Sequence, residues 1–365
     1  MTTRERAEAL ADVARSFPVL GPTTADDLLE LVAAELGHCE ALDRFVPHGR
    51  HLAREFARTP FLHIVAGNTP AAGLQTAIRG LLVGAHNLIK LPSDGLPELE
   101  EFRSLLPAFL AARVELSRER LTDWIQRAEV VIVFGSDETI EEIRKSLRPD
   151  QIFVPHGHRI SFGVIFEDPQ FESVHGAARD SSVFDQLGCL SPQVFYVQHE
   201  PRSYADRLAA AMENFHGGDP RGGVSLSAAN AIRALREETA FRAANGKDCA
   251  VWQSADSTAW TVIYDTAPGF PRSPLHRTIF VKTIAVLDSE FRPIRSHLSC
   301  AGIFPANAEN AARVAEAGVS RICPIGQMQR PPWTWHQDGS GALNALVRWV
   351  DAELEPGATN NFQGG

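Results

Sequence analysis

Apolar and polar positions alternate in blocks along this chain, and the blocks predict strands interleaved with helices. The start reads as helical, with apolar residues at helical spacing over 25–36 and again over 51–56. A compact apolar run at 61–66 then reads as a short buried strand, closed by Gly67, Asn68, Thr69 and Pro70. Residues 71–83 are apolar on most faces, which predicts a buried helix. A second strand is expected over 87–91, ended by Pro92, Ser93, Asp94 and Gly95, and a long amphipathic helix around 98–110 follows. The run 130–134 predicts a third strand, which passes through Gly135 and Ser136 into a helix over 139–146.

Strands that alternate with helices predict an α/β domain with a largely parallel sheet, whose ligand crevice lies at the carboxyl ends of the strands. Asn68, Lys90, Ser93, Gly135 and Ser136 all fall at such ends. After Pro155 the pattern shifts: a strand over 160–166, a turn within 183–197, and a helix over 204–215. The glycine-rich stretch 216–223 reads as a flexible loop before a helix over 226–245. Three β-rich runs follow at 250–252, 260–264 and 278–286. These elements predict a first domain over 1–150 and a second over 151–325. A C-terminal segment, 326–365, is expected to return to the first domain, with 357–365 disordered.

Charge and cysteine usage narrow the classes. A net charge of -10 argues against a nucleic-acid binder while leaving room for a local basic pocket that grips a phosphorylated cofactor. Cys39, Cys189, Cys249, Cys300 and Cys323 are scattered without a CxxC pair, so no metal site or disulfide framework is expected and a reducing compartment is favoured. The charged start lacks an apolar signal-peptide core, and no apolar run reaches membrane-spanning length, so a cytoplasmic location with no membrane span is expected.

Several residues have chemistry to offer. Cys189 sits in Gly188-Cys189-Leu190-Ser191-Pro192-Gln193, a turn before a β-rich run, where a thiol can be exposed and rigidly held as a nucleophile requires; a buried, inert cysteine is the plain alternative. Backbone N–H groups at Gly135-Ser136 can hold a phosphate at a helix start, although the pattern is not GxGxxG. Lys90 can reach a ribose or phosphate, or stand as a surface lysine. Asn68 can donate to an oxyanion or simply cap a turn. His156 and His158 offer an acid or base, or loop residues. Trp333, Trp335 and His336 read as a ligand-pocket lining or a buried anchor.

In their order, several segments resemble the LuxC-type acyl-CoA reductases, a branch of the aldehyde dehydrogenase superfamily. They are the stretches 63–70 and 87–93, Phe134-Gly135-Ser136-Asp137-Glu138-Thr139, the stretches 160–165 and 188–193, and Gly318 through Gly339. The resemblance spans about Pro60 to Trp349. It implies an aldehyde-dehydrogenase-like α/β fold, with a Rossmann-like cofactor domain beside an α/β catalytic domain. It implies Cys189 as nucleophile and Asn68 as oxyanion donor, Lys90 and Ser93 on the cofactor's adenosine ribose or its phosphate, Gly135 and Ser136 under the pyrophosphate, and Thr139 among the cofactor-binding residues. The chain departs from the aldehyde-oxidising members in carrying roughly His156 where they have a glutamate base, and in being shorter, which touches the superfamily's oligomerisation elements.

A missing carboxylate base favours reduction, because reducing an acyl thioester needs no activated water. The expected activity is therefore NADPH-dependent reduction of an acyl-CoA or acyl-carrier thioester, of fatty type, to the aldehyde, with NAD as the other cofactor choice. An acyl-transferring partner enzyme and homo-oligomerisation both remain open, as do an acyltransferase or thioesterase using the same cysteine and a non-catalytic acyl-binding scaffold.

Overall fold

Val130–Phe134 offers branched and aromatic side chains to both faces of a strand, and such a strand is stable only inside a sheet covered on both sides. The computed structural model describes residues 1–67, 70–119, 122–286 and 290–354 and builds such sheets from this kind of run. The chain divides into two compact units. Unit 1 comprises Met1–Gly157, Pro332–His336 and Ser340–Gly365, and unit 2 comprises His158–Pro331 and Gln337–Gly339.

In unit 1 a hairpin of β1 (Val46–His48) and β2 (His51–Ala57) precedes β3 (Phe61–Ile64), β4 (Asn87–Lys90), β5 (Val114–Ser117), β6 (Val130–Phe134) and β7 (Ile152–His156). Strands β3 to β7 form one parallel sheet in the order β5-β4-β3-β6-β7. The parallel sense puts all their carboxyl ends along one edge. Helices Thr3–Ala14, Ala25–Leu36 and Pro70–Leu82 share a core with this sheet, centred on Leu10, Leu28, Leu74, Ile78 and Phe61.

Two sequence expectations fail here for identifiable reasons. Residues 51–56 are strand, not helix: six residues are too few for helical spacing to be distinctive, and pairing with β1 across a Gly49 turn at φ 61 fixes the extended form. The helix expected around 98–110 is two pieces, Pro97–Leu105 and Ala108–Ala111. Pro107 supplies no N–H, and Leu106 before it is forced extended at ψ 139.

Unit 2 is built on β8 (Ile160–Ile165), β9 (Pro192–Val197), β10 (Cys249–Gln253), β11 (Thr261–Asp265), β12 (Thr278–Thr283), β13 (Leu298–Phe304) and β14 (Arg321–Pro324). They form one sheet in the order β10-β11-β12-β9-β8-β13-β14, parallel except for β10 on one edge. Helices Val174–Ser182, Pro201–Gly218 and Leu226–Ala244 complete the unit. Gly163 lies opposite Phe195 across the β8–β9 pair, and a Cβ there would overlap the Phe195 ring. The stretch 216–223 is not a free loop. Helix continues to Gly218, Arg221 donates to the His276 carbonyl at 3.1 Å, and the Gly222 N–H donates to Asp185 at 3.2 Å. The β-rich run 278–286 ends as strand at Thr283 and turns into a short 3-10 helix.

The last strand, β15 (Val347–Ala352), returns to unit 1 and pairs antiparallel with β2. Among the described residues no helix is long and apolar enough to cross a membrane. The expected tail disorder at 357–365 lies outside the described residues.

The inner face of β2 carries an electrostatic fault. Glu55 is fully buried between Ala53 and Ala57, and neither carboxylate oxygen has a hydrogen-bond partner among the described residues. Burial pushes its carboxyl up to about 7, opposed only by its own backbone N–H. The folded value lies above the unfolded one, so stability is full while both states are protonated. It falls as pH rises through the unfolded value near 4.5 and levels off above about 7. Glu55→Met should therefore stabilise the protein by roughly 1–3 kcal/mol at pH 8 and far less at pH 4. Urea unfolding at the two pH values checks this, and an equal gain at both would refute it.

Candidate active site

Cys189 is the exposed member of the five free cysteines; Cys249, Cys300 and Cys323 are buried and Cys39 is partly so. It lies on the turn that leads into the amino end of β9. The backbone before it is unusual: Phe184, Asp185 and Gln186 take φ of 56, 51 and 64, the left-handed region that L side chains avoid. A second left-handed stretch, Leu275, His276 and Arg277 at φ 62, 55 and 64, lies against it. Asp185 pairs with the buried Arg277 at 2.8 Å. The fully buried Gln186 amide accepts from the Thr278 N–H at 2.8 Å and donates to the carbonyls of Pro192 and Thr278 at 2.8 and 2.9 Å. Each strained turn is thereby fixed by the other, and the cysteine turn starts from a rigid base.

Beyond Cys189, Ser191 closes a turn onto the Gly188 carbonyl at 3.0 Å. Gln329 donates to the Ser191 hydroxyl and to the Asp180 carbonyl, both at 3.0 Å. Asp180, itself buried, accepts the Gly326 and Met328 N–H groups at 2.6 and 3.2 Å. Desolvation pushes its carboxyl up to about 7 despite these bonds.

The electrostatics of the thiol are contested rather than simply activating. Burial is the largest influence on Cys189 and pushes the thiol up to about 11, and the nearby Asp338 acts in the same direction. The residue is solvent-exposed even so, which describes a side chain reachable by a ligand but densely surrounded. The Cys189 N–H, Arg159 and the Leu190 N–H all favour the thiolate without outweighing burial. Arg159 and Asp338 are themselves an ion pair at 2.7 Å, both largely shielded from solvent, so each tempers the other's effect on the sulfur.

In unit 1 the strand-end residues fall along the carboxyl edge of the sheet. Lys90 ends β4, Gly135 and Ser136 follow β6, and His156 ends β7 with its ring stacked on Phe134 at 4.5 Å. Ser93 is exposed in the turn after β4. Ser136 caps helix Asp137–Arg144, its hydroxyl accepting from the Thr139 N–H at 3.3 Å. A Cβ on Gly135 would press on the Thr139 side chain at 3.3 Å, and one on Gly157 would come within 2.6 Å of Asp137. The bare backbone keeps this helix start open, as a phosphate cradle requires. Asn68 lies outside the described residues.

Trp333 and Trp335 are buried, and the Trp333 indole donates to Thr23 at 3.1 Å, an anchoring arrangement inside unit 1. His336 is exposed. No pattern in the sequence marks Arg159 or Arg277, whose partners stand far away along the chain, and Ser161 and Asp338 lie unremarked within quoted motifs.

Comparison with known proteins accords with this arrangement. The family model described as Acyl-CoA reductase (LuxC) matches residues 18–349. The long-chain acyl-protein thioester reductase of Aliivibrio fischeri is 23% identical over 347 residues, covering 89% of this chain and 70% of the relative. That of Photorhabdus luminescens is 23% identical over 353 residues with the same coverage. Among solved structures, aldehyde dehydrogenase 21 of Physcomitrella patens in complex with succinate superimposes with TM-score 0.67 at 14% identity, over 98% of this chain and 87% of its own. The glyceraldehyde-3-phosphate dehydrogenase GapN of Methanocaldococcus jannaschii complexed with NADP does so with TM-score 0.65 at 10% identity, over 96% and 90%. The fold is that of the aldehyde dehydrogenases, α/β with Rossmann-like character.

The Arg159–Asp338 pair makes a prediction of definite sign. Asp338→Asn removes the carboxylate that disfavours the thiolate and leaves Arg159 unopposed, so Cys189 should alkylate with iodoacetamide about tenfold faster at pH 8, the effect of about one pKa unit. Arg159→Met should slow it. Site-resolved mass spectrometry reads both rates, and faster labelling in both variants would refute the electrostatic account.

Proposed function

This chain belongs to the LuxC family of acyl-CoA reductases, and we propose that it reduces a fatty acyl thioester to the aldehyde through an acyl group carried on Cys189. The observation that carries the reading is the exposed Cys189, on a turn anchored from both sides, within a fold of the aldehyde-dehydrogenase type. In the proposed reaction the Cys189 sulfur, once deprotonated, attacks the thioester carbonyl. The Cys189 N–H donates to the oxyanion, and the carrier thiolate departs as the acyl–sulfur bond to Cys189 forms; an oxyanion role for Asn68 rests on the family resemblance alone.

The second half needs a hydride donor. The open helix start at Gly135 and Ser136, with Thr139, Lys90 and Ser93 on the same sheet edge, fits the phosphates and ribose of a nicotinamide dinucleotide. When bound, such a cofactor supplies the hydride that takes the acyl carbon to the aldehyde level. Cys189 then leaves as thiolate, which restores the enzyme. NADPH is the proposed donor, with Lys90 its phosphate partner. The relatives named as acting on acyl-protein thioesters support a long-chain acyl group, and CoA and protein carriers are separated by assay.

The chemistry does not call on an activated water, and His156 occupies the position that the family resemblance assigns to the oxidising enzymes' glutamate. Incubation with a long-chain acyl-CoA and no cofactor should leave a hydroxylamine-labile acyl group on Cys189, absent in Cys189→Ala. That acyl-enzyme should release little fatty acid until NADPH is added, when aldehyde appears. Rapid release of fatty acid without cofactor would instead identify a thioesterase, and His156→Glu should push the protein in that direction.

Cofactor binding has its own test. Lys90→Ala and Ser136→Ala should weaken NADPH binding about ten- to a hundredfold, the value of a lost charge-assisted hydrogen bond. Acyl loading of Cys189 should stay near normal in both. Titration of NADPH fluorescence measures the first quantity and intact-protein mass the second. Equal loss of both would contradict the division of labour.

A further inference from the structure

Strand β8 is irregular on both sides where it passes the cysteine turn. Against β13 the register jumps from Leu298↔Ile160 to Ala301↔Phe162, so Ser299 and Cys300 together stand opposite the single residue Ser161. Against β9 it jumps from Ser161↔Pro192 to Gly163↔Phe195. A bulge takes a backbone N–H out of the ladder, and a buried N–H without a partner is costly. Here the freed Cys300 N–H donates to the Ser161 hydroxyl at 3.2 Å. The same hydroxyl, fully buried, donates in turn to the Cys189 carbonyl at 2.7 Å. Ser161 thus joins a bulged strand to the peptide that follows the cysteine.

That peptide has two ends. The Cys189 carbonyl and the Leu190 N–H belong to one planar trans unit and point in opposite directions. Fixing the carbonyl toward Ser161 fixes the N–H on the other side, where it favours the Cys189 thiolate. Without the serine nothing described holds this carbonyl, and rotation of the peptide would carry the N–H away from the sulfur.

We propose that Ser161 is a positioning residue for the Cys189 nucleophile: by clamping the Cys189 carbonyl to the β8–β13 bulge, it aims the Leu190 N–H at the sulfur. It deepens the acyl-transfer reading and rests on it for its catalytic meaning, while the geometry is testable by itself. The clamp also explains why the bulge is built with serine. An aliphatic residue there would leave both the Cys300 N–H and the Cys189 carbonyl unpaired in the interior.

The experiment compares wild type, Ser161→Ala and Ser161→Cys as full chains, reading iodoacetamide labelling at each cysteine by mass spectrometry at pH 8. Cys189 labelling should fall about tenfold in Ser161→Ala, the worth of one hydrogen bond to a charged group. It should fall less in Ser161→Cys, which keeps the side-chain volume and a weak donor, and which supplies the comparison if the alanine variant does not fold. A purely structural role predicts the opposite sign nearby: a loosened bulge would expose Cys300, which is fully buried in wild type. A slowed Cys189 with Cys300 still protected supports the clamp. Cys189 labelling within twofold of wild type, or a fall accompanied by Cys300 labelling, overturns it. Acyl-CoA loading of the same proteins separates the two levels. If wild-type Cys189 takes no acyl group from CoA or protein thioesters, the reductase reading fails while the labelling result still decides the clamp.

Discussion

The ion pair of Asp185 with Arg277 and the amide of Gln186 hold together a piece of backbone that would not otherwise persist. Six non-glycine residues in the left-handed region, three in each turn, cost on the order of 1 kcal/mol or more apiece. That is comparable with the whole net stability of a typical domain. Such a conformation survives because it is over-determined. Gln186 satisfies three backbone groups in a buried site, Arg277 also reaches the Asp219 carbonyl at 2.7 Å, and Gly222 and Arg221 tie the adjoining stretch to both turns. The strain stands immediately before the cysteine turn, and this is the kind of place where strained backbone tends to serve function.

The path from these turns to the thiol is short and continuous. Gln186 pins the Pro192 carbonyl, Ser191 closes onto Gly188, and Ser161 takes the Cys189 carbonyl. Two separate elements of unit 2, the Gln186 turn and β8, together with a turn inside the segment itself, therefore fix five consecutive residues that contain a single reactive group. A cysteine presented on a loop free to move would be equally exposed but would lose its relation to the surrounding N–H groups. Those groups matter more because the site is otherwise unfriendly to charge, with burial and Asp338 both opposing the thiolate.

Much of the frame was legible from the sequence, because β3, β4, β6, β8 and β9 are largely apolar runs and parallel buried strands have that character. Most of the strands missed have weaker signatures, the largely apolar and buried β13 excepted. β7 carries Pro155 and His156, β14 is four residues with Arg321 at its start, and β15 mixes charged and aromatic positions because it pairs with a half-exposed hairpin. Residues 51–56 misled because a short run satisfies two periodicities at once. At the site, Cys189 could be singled out from its turn and its resemblance. The residues that condition it could not: Arg159 and Asp338 are separated by 179 positions along the chain, and Asp185 and Arg277 by two long helices and three strands of sequence. Ser161 acts through a register slip that no sequence pattern reveals.

The elevated thiol has a consequence for the direction of acyl flow in the proposed reaction. Between two thiols competing for one acyl group, the one of lower pKa is the better leaving group. An ordinary alkyl thiol ionises near 8.5, roughly, whereas Cys189 is held up at about 11. On leaving-group ability alone, the tetrahedral intermediate should therefore expel the carrier thiol rather than Cys189. The same property makes the resulting enzyme thioester slow to return its acyl group to the carrier, since Cys189 is then the poorer leaving group. Reduction meets the same restraint, because the hemithioacetal formed by hydride addition also releases Cys189 as thiolate, so the Cys189 and Leu190 N–H groups and Arg159, which favour that thiolate, bear on this step as well.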